Sequence, residues 1–205
     1  RAWGAGAGQG IVLVRIAISI GMNMLLWGTE ITPEHIPVYE KLAEAGFDGV
    51  EKPEGPQTDS QLQEMAAACD GLGLKRTSST FVGLDSNPVS PQEHIREQAI
   101  KNLKHSIDAA ESIGADILIG GIYQAHKYFT GQAATEQEWN WSADYLRECG
   151  QYAADKGIRL GLEVLNRFEV YLINTVSDAR RRVDLVGLPN VGIHYDTHHA
   201  NIEEP

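Results

Sequence analysis

A repeating junction between helices and strands constrains this chain more than any other feature. Five times a helical pattern ends at a glycine, and an apolar or small residue then opens a strand-like run; the junctions are Gly46-Phe47, Gly73-Leu74, Gly114-Ala115, Gly157-Ile158 and Gly187-Leu188. Glycine is common just beyond a helix because it adopts the left-handed conformation without strain. Such strict alternation of strands and helices predicts right-handed crossovers and a parallel sheet.

Six strands are predicted, over residues 16–27, 49–52, 74–81, 117–123, 159–165 and 191–197. They could form a doubly wound sheet or most of a barrel, but the first strand lacks the G-x-G-x-x-G turn of a dinucleotide-binding sheet. We therefore expect an α/β fold, a (β/α)8 TIM barrel of which about six β/α units are present. Because an open barrel would leave strand edges unpaired, we expect the sequence to be truncated at its C-terminus.

The chain is predicted to contain a short leader and one domain. Residues 1–10, RAWGAGAGQG, are rich in glycine and alanine and cannot bury a core, so we expect residues 1–14 to be a flexible leader, whether or not it is native. Residues 15–205 are expected to form a single, incomplete TIM-barrel domain holding strands 1 to 6. Within it, Thr58 and Thr135 each precede a Gln or Glu by three residues, a capping-box pattern that predicts a helix start.

The net charge and the cysteines indicate which partners the protein can bind and in which cellular compartment it occurs. The formal net charge is −11, which disfavours binding to nucleic acid. The one basic cluster, residues 180–182, is interpreted as the solvated face of a helix. Cys69 and Cys149 fall inside helical patterns and are predicted to be reduced core residues, which fits a cytoplasmic protein. No apolar run reaches transmembrane length, so no membrane partner is expected.

Two predicted strands carry a carboxylate close to their C-terminal ends. Glu163 lies in the run LGLEVLNRFE, and Asp196 lies in VGIHYDT. Barrel enzymes build their sites at this end of the strands. Converging carboxylates repel each other unless one takes a proton or a divalent cation lies between them, and oxygen-rich ligands suit Mn²⁺, Mg²⁺ or Co²⁺. Alternatively, Glu163 pairs with Arg159 or Arg167, and Asp196 only caps a turn.

Several histidines are further candidates for the site. His198 and His199 follow Asp196 in a predicted loop, where one of them could be a metal ligand or a hydrogen-bond donor. His194 is expected one layer below the site. His126 lies in the loop after the fourth strand and is a candidate for substrate contact. The histidines in helical patterns are predicted to lie on the surface; they are His35, His94 and His105.

Two of these segments resemble the D-tagatose 3-epimerase and D-psicose (D-allulose) 3-epimerase family, within the xylose-isomerase-like TIM-barrel superfamily. The run LEVLNRFE is close to verbatim that family's first signature. The run YDTHHANIEE is similar to the second, with Tyr195, His198 and Ala200 where the family usually has Leu, Phe and Met. A weaker likeness extends through GFDGVE and IGADILIGG.

The resemblance implies roles for individual residues. Glu163 corresponds to the family's metal-binding catalytic glutamate and Asp196 to its metal-binding aspartate. Glu169 and His199 correspond to residues that hydrogen-bond the ketose near its carbonyl end. A divalent metal, Mn²⁺ before Mg²⁺ or Co²⁺, is implied, with a small sugar as substrate and a homo-oligomer, a dimer or tetramer. Residues 23–25 depart from the family, which often has aromatic residues there.

The function implied is that of a metal-dependent ketose 3-epimerase, which removes and returns a proton at C3 of a free ketohexose through an enediolate. Glu163 would be one base. The second base, a further His and Glu ligand and a substrate-binding Arg come from later strands in the family, so this segment alone is expected to be inactive. The alternatives are an aldose–ketose or hydroxypyruvate-type isomerase of the same superfamily, a metal-dependent endonuclease, which the acidic charge disfavours, and a non-catalytic sugar-binding barrel.

Overall fold

In the computed structural model, which describes residues 18–205, one parallel sheet organises the chain. Its strands are β1 (Gly21–Asn23), β2 (Gly49–Lys52), β3 (Lys75–Ser79), β4 (Ile117–Gly120), β5 (Arg159–Glu163) and β6 (Val191–His194). The strands pair in sequence order, which is the order of a barrel and not of a doubly wound sheet. The predicted leader, residues 1–14, lies outside the described residues.

Helices connect the strands and pack on one face of the sheet. They are α1 (Ile36–Glu44), α2 (Asp59–Leu72), α3 (Glu93–Ser112), α4 (Glu136–Asp155), α5 (Val176–Val186) and α6 (Thr197–Glu203), with short 3-10 helices at Met24–Leu26, Pro33–His35 and Leu84–Ser86. Both predicted capping boxes form, at Thr58 and Thr135. All five junction glycines have positive φ angles, between 68° and 87°. The predicted alternation is confirmed.

The strand residues that were predicted to face the helices are buried. Leu160, Leu162 and Val164 are at most 4% exposed. On the opposite face of β5, a Cβ added to Gly161 would lie 2.9 Å from Ile119 Cγ2, so the interior of the sheet is tightly filled here. Cys69 and Cys149 are free and buried, as predicted. No helix among residues 18–205 combines the length and apolar character needed to cross a membrane.

The last predicted strand is too long, because a helix replaces its end. The strand was predicted to reach residue 197, but β6 ends at His194 and α6 begins at Thr197. Asp196 Oδ1 accepts hydrogen bonds from the backbone N–H groups of His198 (2.6 Å) and His199 (3.3 Å), so Asp196 is the N-cap of α6. The prediction of a loop at these two histidines is therefore wrong.

Two predictions about exposure are also wrong. Arg182 was placed on a solvated face, but it is fully buried, with its guanidinium 4.3 Å from the centre of the Trp139 ring and bonded to the Trp139 carbonyl. Burial lowers the pKa of Arg182 to about 10. His35 was placed on the surface, but it is 9% exposed, and its Nδ1 accepts a hydrogen bond from the Thr32 N–H at 3.0 Å, so the ring folds back on the start of its own helix.

Candidate active site

Three ionisable side chains converge where β5 and β6 end. Glu163 is the last residue of β5, and its partner in the β5–β6 register is His194. Asp196 follows two residues later, and α6 then carries His199 back towards Glu163. One side-chain atom from each of Glu163, Asp196 and His199 lies within 4.8 Å of the other two. The two carboxylates singled out in the sequence therefore lie together at the C-terminal edge of the sheet.

The two carboxylates have opposite pKa shifts. Burial raises the pKa of Glu163 to about 7, and the negative charges of Asp196 and Glu51 add to that rise. Burial alone would also raise the pKa of Asp196, but the hydrogen bonds from the backbone N–H groups of α6 outweigh it and lower that pKa. A divalent cation would favour the charged form of both groups, so the donor set fits a metal of the oxygen-preferring class.

The alternative pairing of Glu163 with an arginine is not formed. Arg159 Nη2 lies 2.8 Å from Asp116 Oδ2, and Arg167 Nη2 lies 2.7 Å from Glu203 Oε2. Asp196 does cap a helix, but both capping bonds end on Oδ1. The cap therefore leaves Oδ2 of the same carboxylate for another partner, and capping and metal binding are compatible.

A series of hydrogen bonds extends from this cluster to the loop after β4. His126 Nε2 lies 2.9 Å from Glu169 Oε2, and Glu169 Oε1 accepts from Asn166 Nδ2 at 3.0 Å. Asn166 Nδ2 is also 2.8 Å from His199 Nδ1, and His199 Nε2 lies 3.8 Å from Glu163 Oε1. The structure thus joins three residues singled out in the sequence, His126, Glu169 and His199, through Asn166, which sequence reasoning missed.

Glu169 is held in its charged form. Burial alone would raise its pKa, but hydrogen bonds from His126 and Asn166 outweigh that effect and lower it. Glu163 and Glu169 therefore differ in proton affinity although they lie six residues apart in one segment. At neutral pH the first is suited to exchange a proton and the second to accept a hydrogen bond.

A cavity of about 620 Å³ lies beside the carboxylate cluster. Its walls include Asn23, Glu51, Ser79, Phe81, Glu163, His194 and Asp196. Glu51, which sequence analysis did not assign to the site, accepts hydrogen bonds from Asn23 Nδ2 (2.7 Å) and Thr77 Oγ1 (3.0 Å). The register pairs these three residues on β1, β2 and β3, so they form a polar row across the sheet, and Asn23 and Glu51 of this row line the cavity.

His198 is the candidate that the structure does not bring to the carboxylates. Its side chain is exposed, while that of the neighbouring His199 is 9% exposed and faces Glu163. His194 is half-buried on the cavity wall, and its buried Nδ1 has no hydrogen-bond partner among the described residues. The side chains of His198 and His199 thus differ in burial, although their rings meet edge to face with centroids 5.1 Å apart.

Residues 39–205 match the family model described as the xylose isomerase-like TIM barrel. The chain belongs to the xylose isomerase-like TIM-barrel family, and the predicted barrel class is confirmed. The match covers β2 to β6 and all the residues of the carboxylate cluster.

The individual proteins that this chain resembles are named as epimerases. The chain is 34% identical over 189 residues to a ketose 3-epimerase of Arthrobacter globiformis, covering 91% of this chain and 65% of that relative. It is also similar to the solved structure of an L-ribulose 3-epimerase (TM-score 0.85, 26% identity, 91% of this chain and 63% of that one). A D-psicose 3-epimerase from Clostridium cellulolyticum H10, solved with D-tagatose, gives a TM-score of 0.83 at 29% identity, over 91% of this chain and 66% of that one. The chain thus spans less than two thirds of the Arthrobacter relative's length.

Proposed function

We propose that this chain is part of a metal-dependent ketose 3-epimerase. The observation that carries the proposal is the convergence of Glu163 and Asp196 at the C-terminal edge of the sheet, with Glu169 held as a carboxylate by Asn166 and His126. Relatives named as ketose, L-ribulose and D-psicose 3-epimerases support it. The substrate class is a free ketose, and the protein is assigned to the isomerases.

Glu163 and Asp196 would hold a divalent cation, with Mn²⁺ as the first candidate and Mg²⁺ and Co²⁺ next. When bound, such an ion supplies Lewis-acid stabilisation of the negative charge that develops on the substrate oxygens. Asp196 is suited to the ligand role because the N-terminus of α6 already favours its charged form. Glu163 is the last residue of the neighbouring strand, β5.

Glu163 is also the proposed base. The proton at C3 is acidic because it lies next to the carbonyl at C2, and its removal gives an enediolate. A bound divalent cation would keep the Glu163 carboxylate in its charged form, and a charged carboxylate can accept that proton. Inversion requires that a proton return from the opposite face of the sugar, and we assign that step to a residue outside this sequence. Glu169 and His199 are proposed to hydrogen-bond the sugar near its carbonyl end.

The test uses the full-length protein with Mn²⁺ in deuterated water. Candidate ketoses such as D-psicose, D-tagatose and L-ribulose are incubated, and deuterium is located by NMR. We expect deuterium at C3 and formation of the C3 epimer. Glu163→Gln should abolish the exchange, while Glu40→Gln, at an exposed position on α1, should leave it unchanged.

Other outcomes separate the alternatives. Deuterium at C1 or C2 together with an aldose product, or turnover of hydroxypyruvate, would identify an isomerase of the same family instead. Turnover that survives Glu163→Gln would exclude the assigned base. Binding of the sugar without any exchange would identify a non-catalytic barrel.

Assembly and location are part of the same proposal. We propose a cytoplasmic enzyme that forms a dimer or tetramer and has no nucleic-acid or membrane partner. The two free, buried cysteines support the cytoplasmic location, and the net charge of −11 supports the absence of a nucleic-acid partner. Analytical ultracentrifugation of the full-length protein tests the assembly, and a monomer at micromolar concentration would contradict it.

A further inference from the structure

The side chain of Asn166 has one orientation that satisfies all its polar atoms. It is 3% exposed, and its Oδ1 accepts the backbone N–H of Phe168 at 2.9 Å. Because a backbone N–H can only donate, Oδ1 is identified by this bond and the amide cannot be turned over. Nδ2 must then be the atom that lies 3.0 Å from Glu169 Oε1 and 2.8 Å from His199 Nδ1.

The same residue fixes the tautomer of His199. The backbone N–H of Asn166 also donates to His199 Nδ1, at 3.4 Å. Both groups that face Nδ1 are donors, so Nδ1 must be an acceptor, and the proton of the neutral ring is on Nε2. That nitrogen faces Glu163 Oε1 at 3.8 Å. A nitrogen that carries a hydrogen has no lone pair to offer a metal.

We propose that Asn166 is a positioning residue of this site. One of its amide hydrogens orients the Glu169 carboxylate, and the other keeps His199 in the tautomer that presents Nε2–H. The site then offers a ketose one acceptor and one donor, which matches a hydroxyl next to a carbonyl. His199 is excluded as a metal ligand, which leaves Glu163 and Asp196 for that role.

The effect of Asn166 on the reaction rests on the proposed function, whereas its effect on His199 does not. The first test is therefore spectroscopic, on full-length protein with ¹⁵N-labelled histidine. We expect the His199 resonances, identified by their loss in His199→Gln, to show an unprotonated Nδ1 and a protonated Nε2. The tautomer itself is read in the unmodified protein, and His199→Gln serves only to assign the resonances; a protonated Nδ1 would overturn the proposal.

The second test is Asn166→Asp, which keeps the shape of the side chain but replaces both donor hydrogens with an acceptor. We expect Nδ1 of His199 to become protonated. The matched control is Asn190→Asp at the N-terminal end of β6, where Nδ2 also donates twice, to the carbonyls of Gly150 (2.8 Å) and Ile158 (3.2 Å). It should leave the His199 resonances unchanged.

Kinetics of the same variants complete the test. Asn166→Asp should lower kcat by about tenfold to a hundredfold, the usual effect of losing a group that orients a functional residue. KM should change less, and Asn190→Asp should keep kcat near the native value. A shifted His199 tautomer with unchanged kcat would refute the positioning role. If no ketose is epimerised even by the native protein while the tautomer is as expected, the proposed function alone fails.

Discussion

The two sides of the cavity are constructed differently. On the β5–β6 side, Glu163 lines the cavity, and Asn166 and Glu169 follow it in one short segment that meets α6 at His199. On the β1–β3 side, Asn23 and Glu51 line the cavity although they are 28 residues apart, and Thr77, 26 residues after Glu51, donates a hydrogen bond to Glu51. The first side depends on local geometry, and the second depends on strand register. The first has the groups suited to proton transfer, and we expect the second to affect mainly how the rest of a sugar binds.

The largest effect is expected for Glu163→Gln in the full-length protein. Loss of the proposed base should lower kcat by about a hundredfold to ten-thousandfold. Steady-state kinetics on a ketose that the native protein epimerises measures this effect. If Glu51→Gln lowered kcat equally, the distinction between the two sides of the cavity would be wrong.

Two variants of Asp196 separate its role as the cap of α6 from its proposed role as a metal ligand. Asp196→Asn should preserve the cap of α6, because asparagine caps helices well, but lower Mn²⁺ affinity by removing a negative ligand. Asp196→Ala should lower Mn²⁺ affinity and also cost about 1 kcal/mol of unfolding free energy. Calorimetric titration with Mn²⁺ and thermal unfolding without metal measure the two quantities. Equal loss of stability in both variants would show that the cap does not depend on the side-chain hydrogen bond.

Lys52 follows Glu51 on β2, and we expect it to affect stability and not catalysis, by making the unfolding free energy depend on pH. Lys52 is 5% exposed, and burial lowers its pKa from 10.5 to about 8. Because the folded state disfavours the protonated amine, the unfolding free energy should rise as pH increases from about 8 to 10.5. Lys52→Met should remove this rise and add about 1 to 3 kcal/mol near neutral pH. Denaturant unfolding at a series of pH values tests it, and an unchanged slope in the variant would contradict it.

The smallest effect is expected for Glu51→Gln. Glutamine keeps the size of the side chain and one acceptor oxygen, but it loses the charge that helps to raise the pKa of Glu163. We expect KM to rise by about threefold to tenfold, the effect of one hydrogen bond, with little change in kcat. The conservative Thr77→Ser, which keeps the hydroxyl, is the control and should leave both constants near native values.

Much of the fold could be predicted because its signals are local. The junction glycines mark helix ends whatever lies around them, and period-two alternation places Glu163 opposite Leu160 and Leu162. The convergence of Glu163 with Asp196 followed because parallel strands share a C-terminal edge. These features require no knowledge of how distant parts of the chain pack together.

The failures have separate physical causes. The end of β6 was misjudged because Asp196 satisfies two backbone N–H groups and so starts a helix in place of further strand. Arg182 was misjudged because a run of charges was read without its helical period: positions 179, 182, 183 and 186 share one face of α5, and Ala179 and Val186 are buried there. Glu51 was missed because its partners on β1 and β3 are defined only by register.

The short helix α6 limits which insertions, deletions and substitutions this site can accept. Asp196 and His199 are separated by one helical turn, and the same turn contains the capping bonds that hold the aspartate. An insertion or deletion between them would alter the distance and the direction of both side chains together. Thr197 and His198 occupy the same turn, and their side chains are exposed. The segment should therefore tolerate many replacements at these two positions but no change in length.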